Sequence, residues 1–353
     1  MEGPFHQLDR VRRLQGRALD ALGLGPTEAP WEEAGRWPGV RLRDYGGPAG
    51  GDALLVVPAP IKRAYLWDLA PHASAVRRFL EADLRVHLAE WTRPGPGDRH
   101  LGLDEVAGGL VGRCVDEVRA RSGQDAVALT GHSLGGTFAA IFAARHPERV
   151  SALALFEAPL RFGGAAGAFA PLVAAAPHAG VLRERTATVP GTLLNLASTL
   201  AAPVTFVAER EADLVASLTH ARALDTHLRV RRWQLDELPL PERLFEDVVE
   251  RLYRRDELMR GELLVGGERV SPARVRAPLL SVVNPGSRLV PEGSVLPFHE
   301  AVSSTEQRVL HYRGERGVAL QHVGSLVGED AHRRLWPELL AWLRDVLARQ
   351  GGG

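Results

Sequence analysis

Ala126-Val127-Ala128-Leu129-Thr130-Gly131-His132-Ser133-Leu134-Gly135-Gly136 decides the fold. A short apolar run ends in a serine framed by glycines, and Thr137 to Arg145 continue in a helical pattern. In Gly131-x-Ser133-x-Gly135 a strand must reverse abruptly into a helix, and only minimal side chains two positions either side of the serine let the chain pass. The turn lifts the hydroxyl above the strand ends. The helix start behind it supplies positive potential, and the amide of Leu134 points to where an oxyanion would form.

Working outward, the same alternation recurs. Ala53–Val57 reads as a buried strand that ends in Pro58-Ala59-Pro60, and Leu84–Ala89 as a second. Residues 103, 106, 110, 114 and 118 form an apolar stripe at helical spacing. Downstream, Ala152–Phe156, Pro278–Val283 and Gln307–Tyr312 read as strands, and Arg333 to Arg349 as a closing amphipathic helix. Strands alternating with helices predict an α/β fold with a mostly parallel sheet covered on both faces. From about Leu160 to Val275 the strand rhythm lapses into Ala/Gly/Pro-rich and then charged sequence, read as a helical cap insertion. The expected division is an N-terminal helical segment at 1–30, a core at 31–160 and 276–350, and a cap at 161–275.

Composition narrows the function classes. Lys+Arg and Asp+Glu are equal at 43 each, so the chain lacks the basic excess of a nucleic-acid binder. The single cysteine, Cys114, precludes an intramolecular disulfide and fits the cytoplasm; it lies on the apolar stripe and reads as packing. Leu8, Val11, Leu14, Ala18 and Leu22 recur at helical spacing, which predicts an amphipathic helix rather than a signal peptide, and no 18-residue apolar run predicts a membrane span. No Cys/His/Asp cluster has metal-ligand spacing and no phosphate loop appears, so neither metal nor cofactor is expected.

Several separated stretches resemble the polyhydroxyalkanoate synthases, most closely their class III catalytic subunit. They are Tyr65-Leu66-Trp67-Asp68-Leu69, Trp91-Thr92-Arg93-Pro94, Asp98 to Asp104, Arg145 to Val150, Gly261-Glu262-Leu263 with Gly266-Gly267, Leu289-Val290-Pro291 and His322-Val323-Gly324. Together they span roughly residues 35 to 345. The resemblance implies an α/β-hydrolase fold, an acyl ester or acyl-CoA substrate, and association as a homodimer or with a second synthase subunit. It places the family's nucleophilic cysteine at Ser133 and its general base at His322. The family's aspartate falls on Ser287, two residues before Leu289-Val290-Pro291, so the expected carboxylate is missing.

A triad needs a carboxylate to fix the histidine tautomer, and its loss costs about 10⁴ in kcat. Glu157, at the carboxyl end of strand Ala152–Phe156, is the best substitute, because reactive groups of parallel sheets gather at those ends. The alternative is an ordinary solvated strand-end residue; Glu292, Glu315 and Asp330 are weaker candidates. His322 follows the last strand in the chain order nucleophile, acid, base. His132 is expected to line the pocket beside the nucleophile. The match to the family gives Ile61 as the second oxyanion amide. Lys62, the only lysine, could meet an anionic group such as a CoA phosphate or be a surface charge. Three functions follow: a serine esterase or thioesterase, an acyltransferase using hydroxyacyl-CoA, or a degenerate paralogue that only binds a synthase or its polymer.

Overall fold

The computed structural model describes residues 4–182 and 187–351. Eight strands form one sheet: β1 (Glu32–Trp37), β2 (Val40–Asp44), β3 (Ala53–Val57), β4 (Arg85–Trp91), β5 (Val127–His132), β6 (Val150–Phe156), β7 (Leu279–Val283) and β8 (Gln307–His311). Their order is β1-β2-β4-β3-β5-β6-β7-β8. The last six are parallel, and β1 and β2 are antiparallel at one edge. All six predicted strands are present.

The central strands are apolar along their whole length because both faces are covered. All five residues of β3 and of β7 are buried. The helix after the elbow, α4 (Leu134–Arg145), is buried at every residue from Leu134 to Ala144. It is hydrophobic all round, as a helix pressed between the sheet and neighbouring elements must be. Cys114 is fully buried on α3 (Val111–Ser122), the helix that follows α2 (Ala75–Glu81), and burial pushes its thiol up to about 12.

The unanticipated strands are β1 and β2. Their sequence, with Arg36, Arg41, Arg43, Glu32 and Glu33, lacks an apolar run. On β2, Val40 and Leu42 face the core, while Arg41 and Arg43 both reach Glu90 of β4 and lie over the Trp31 ring. A charged ladder rather than hydrophobic alternation signs this edge, and edge strands commonly carry charge.

Among the described residues, none between Phe156 and Leu279 joins the main sheet. That stretch holds helices α5 (Gly191–Ala201), α6 (Glu209–Ser217) and α7 (Ala221–Gln234). Helix α1 (Pro4–Ala21) joins them: Asp9 accepts from the amides of Gly191 and Thr192 at the start of α5, and Asp20 pairs with Arg232 of α7. The hairpin Leu263–Val265/Glu268–Val270 instead returns to the core, with Glu268 pairing with Arg145 of α4. No single described helix is long and apolar enough to cross a membrane; Gly191–Ala201 and Val204–Ser217 reach that composition only together, and they are bent by 108°.

Candidate active site

The elbow is built by close backbone approach. Ser133 sits at φ 54°, ψ −135°, and its amide continues the ladder to Phe156 O at 3.0 Å. Gly131 admits no Cβ because Gly136 lies 2.7 Å from where one would be. A Cβ on Gly135 would overlap Val57 at the end of β3 and Pro58 just after it, and one on Gly136 would stand 2.5 Å from Ala158. The glycines therefore seat the serine against both the β3 and β6 strand ends. Leu134 begins α4, so its amide has no acceptor four residues back within the helix.

Glu157 leaves the end of β6 at φ 40°, a left-handed conformation that costs about 1–3 kcal/mol for a non-glycine residue. Its amide bonds Val282 O at 2.9 Å, so the strain sits in an otherwise regular ladder. The side chain is completely buried, and Oε2 lies 3.3 Å from His322 Nδ1. Glu157 Oε1 has no hydrogen-bond partner among the described residues. Burial drives the carboxyl well above its ordinary range; the Ser287 hydroxyl opposes this without reaching hydrogen-bond geometry at Oε1. Ser287, the position where the family aspartate is missing, therefore stands beside the carboxylate that could replace it.

Burial also pushes His322 down, to about 4, so at neutral pH the imidazole is available as a base. For Nε2 to accept a proton, Nδ1 must carry one and donate it to an ionised Glu157. A protonated Glu157 would instead donate to Nδ1 and leave Nε2 as N–H, the wrong tautomer. A base of this kind would therefore be the singly negative pair, Glu157 ionised and His322 neutral with its one proton on Nδ1, and burial of a net negative pair disfavours that state.

His132 differs from the expected pocket-lining role. It is buried, its ring centroid is 4.4 Å from that of His322, and its Nε2 donates to His322 O at 2.7 Å. A carbonyl only accepts, so Nε2 holds the proton. Burial, then the neighbouring His322, keep His132 well below the ordinary histidine range and therefore neutral. The residue braces the backbone of His322.

Lys62 is also committed. Its ammonium donates to Glu237 Oε1 and Gln234 O, both at 2.7 Å, and Arg12 shares Glu237 at 2.6 Å. This cluster ties the loop after β3 to α1 and to the end of α7, and occupies the charge that a substrate anion would need. Ile61 lies in the same loop, with its carbonyl accepting from Leu238 N at 2.8 Å; Trp91 Nε1 holds Pro58 O at 2.7 Å. Of the weaker acid candidates, Glu315 accepts from the amides of Asp330 and Ala331, Glu292 pairs with His311, and Asp330 with Arg333. Among the described residues no group of three or more His, Cys, Asp or Glu is placed to hold a metal ion.

A parallel sheet, a serine on a glycine-framed turn after its fifth strand, and a late-loop histidine beside a strand-end carboxylate define an α/β-hydrolase-fold protein. The family profile described as alpha/beta hydrolase fold matches residues 18–175. A solved monoacylglycerol lipase from Paleococcus ferrophilus superimposes with TM-score 0.54 at 15% identity, over 87% of this chain and 99% of its own, which speaks to the fold alone. Within that superfamily the chain is similar to poly(3-hydroxyalkanoate) polymerase subunits. The polymerase subunit PhaC of Haloferax mediterranei is 30% identical over 83% of this chain and 58% of its own length. That of Allochromatium vinosum is 25% identical over 94% of this chain and 92% of its own. The chain therefore spans about three-fifths of the Haloferax mediterranei relative and nearly all of the Allochromatium vinosum one.

Proposed function

We propose that the chain is an acyltransferase that carries a hydroxyacyl group on Ser133 and passes it from a thioester, such as hydroxyacyl-CoA, to a hydroxyl. The observation that carries this reading is the 3.3 Å His322–Glu157 contact, in a chain similar over almost its full length to a polymerase subunit that also aligns over nearly all of its own length. Ser133 Oγ attacks the thioester carbonyl while His322 Nε2 takes its proton. Glu157 holds Nδ1–H and stabilises the imidazolium. The amides of Leu134 and Ile61 receive the oxyanion. Collapse of the tetrahedral intermediate expels the thiolate, which takes the proton from His322. An incoming hydroxyl then gives its proton to His322, attacks the acyl-serine and leaves as the ester, restoring Ser133–OH.

Hydrolysis is the second reading, and the serine itself favours it. Where the relatives' family uses a thiol, an oxygen nucleophile is poorer toward thioesters and forms a less reactive acyl-enzyme, which suits oxygen-ester cleavage. Incubation with 3-hydroxybutyryl-CoA separates the two. Free CoA with insoluble polyester supports transfer; free CoA with 3-hydroxybutyrate supports hydrolysis. No CoA release above a Ser133→Ala control, with no turnover of p-nitrophenyl butyrate, removes both and leaves a binding protein.

A further inference from the structure

His322 closes a loop that begins after β8, and the core alone does not hold that loop. Three of its residues have positive φ: Gly314 at 78°, Gly317 at 80° and Ala319 at 55°. Ala319 carries a side chain in a region that L-residues avoid, and Leu320 N turns back to Val318 O at 2.6 Å. Such a turn persists only where its surroundings over-determine it. The surroundings come from the capping helices. Asp213 of α6 accepts the Gly317 amide on Oδ1 and the Ala319 amide on Oδ2, both at 2.8 Å. His227 of α7 lies 2.7 Å from Oδ2 through Nδ1, and both side chains are buried. A Cβ on Gly317 would stand 2.5 Å from the Cβ of Ala223 on α7, so the loop touches that helix with no slack. Within the loop, Gln321 exchanges hydrogen bonds with the Glu315 backbone, which passes the constraint on to the residue before His322.

We propose that Asp213, oriented by His227, is a positioning residue through which the capping helices hold His322 in reacting geometry, so that Ser133 is activated only while those helices are docked. The inference rests on the acyl-enzyme reading above. It explains why a carboxylate is spent on two backbone amides 104 and 106 residues away in sequence. When α6 lifts, the strained turn at Ala319 loses its two anchors and the imidazole loses its register; when α6 seats, the base is restored.

The test uses the full chain and a fluorophosphonate probe, with Asp213→Asn as the variant, since the amide keeps one acceptor and misplaces the other. Expected is a fall of about tenfold or more in the labelling rate per folded molecule and in kcat for p-nitrophenyl butyrate, with KM within about threefold and final labelling still complete, because small displacements of a base slow the step without removing it. Asp213→Glu is expected to recover part of the rate. A purely structural role would lower the labelled fraction and the melting temperature and leave the rate per competent site unchanged; that outcome overturns the proposal. Should Asp213→Asn fail to fold, native-state hydrogen exchange on the wild type decides: the Gly317 and Ala319 amides must open with α6, and opening with the β7–β8 strands instead overturns it. Wild-type protein that never labels removes the acyl-enzyme reading itself, a result distinct from a wild type and an Asp213→Asn variant that label at equal rates.

Discussion

Replacing Glu157 with glutamine keeps the side chain's volume in a fully buried site and removes only its charge. The structure sets the scale of the loss. Nδ1 and Oε2 are 3.3 Å apart, and at an effective dielectric of about 20 an imidazolium–carboxylate contact at that distance gives about 5 kcal/mol. Part of it is offset by the work of keeping a buried carboxyl ionised, which burial opposes. Burial alone holds His322 near 4, so protonating it unaided at pH 7 costs about 4 kcal/mol. The glutamine amide could also donate to Nδ1 and fix the unproductive tautomer. Together these give an expected fall of about 10²–10³-fold in kcat, with KM little changed. The assay is the burst and steady state of p-nitrophenyl butyrate turnover, with Ser133→Ala as the floor and Ser287→Ala as the contrast. Ser287→Ala should stay within about threefold of wild type. If Glu157→Gln retains near wild-type kcat while Ser287→Ala loses it, the acid does not lie at the end of β6.

Other consequences can be measured alongside. Restoring a carboxylate at the family position, Glu157→Ala with Ser287→Asp, should regain about tenfold over Glu157→Ala alone, because Ser287 already neighbours Glu157; no gain would show that the two positions cannot substitute for each other. For pH dependence, the productive pair has an ionised Glu157 whose folded-state value is raised, so activity is present above that pair's upper step and lost as pH falls through it. In Glu157→Gln the acid limb of kcat/KM should move down toward about 4, the value of the lone buried His322; a limb that stays put or moves up contradicts the pairing. Lys62→Met leaves the buried Glu237 with Arg12 only and should lower stability by about 2 kcal/mol by denaturant titration, with KM for a CoA thioester unchanged; a raised KM at intact stability would return Lys62 to substrate binding. Gly135→Ala forces a methyl into Val57 and Pro58 and should lower the melting midpoint sharply, by roughly 1–3 kcal/mol in stability; a neutral result would mean that the elbow is looser than described.

Six of the eight strands and the elbow were legible because parallel strands covered on both faces must be continuously apolar, and because Gly131, Gly135 and Gly136 answer a steric demand that no other residue meets. The edge pair β1–β2 was not, since its pairing is carried by Arg41, Arg43 and Glu90 rather than by alternating hydrophobicity. Glu157 could be nominated from its strand end, yet its approach to His322 depends on a left-handed backbone that sequence does not reveal. His132 carried a true signal of proximity but not of direction: the turn that presents Ser133 sends the neighbouring ring onto the His322 carbonyl. The roles of Lys62 and Asp213 were hidden for one reason. Each bonds across more than 100 residues, from one layer of the molecule to the other, and no local pattern encodes such a partner.

In the proposed mechanism one hydroxyl, on Ser133, is made nucleophilic by His322. Intact-mass spectrometry after exposure to a fluorophosphonate measures this directly, with peptide mapping of the adduct. A single adduct on wild-type protein, located to Ser133, absent from Ser133→Ala and slowed strongly in His322→Ala, is the predicted result. Folded wild-type protein that gains no mass, or gains it at another residue, contradicts it.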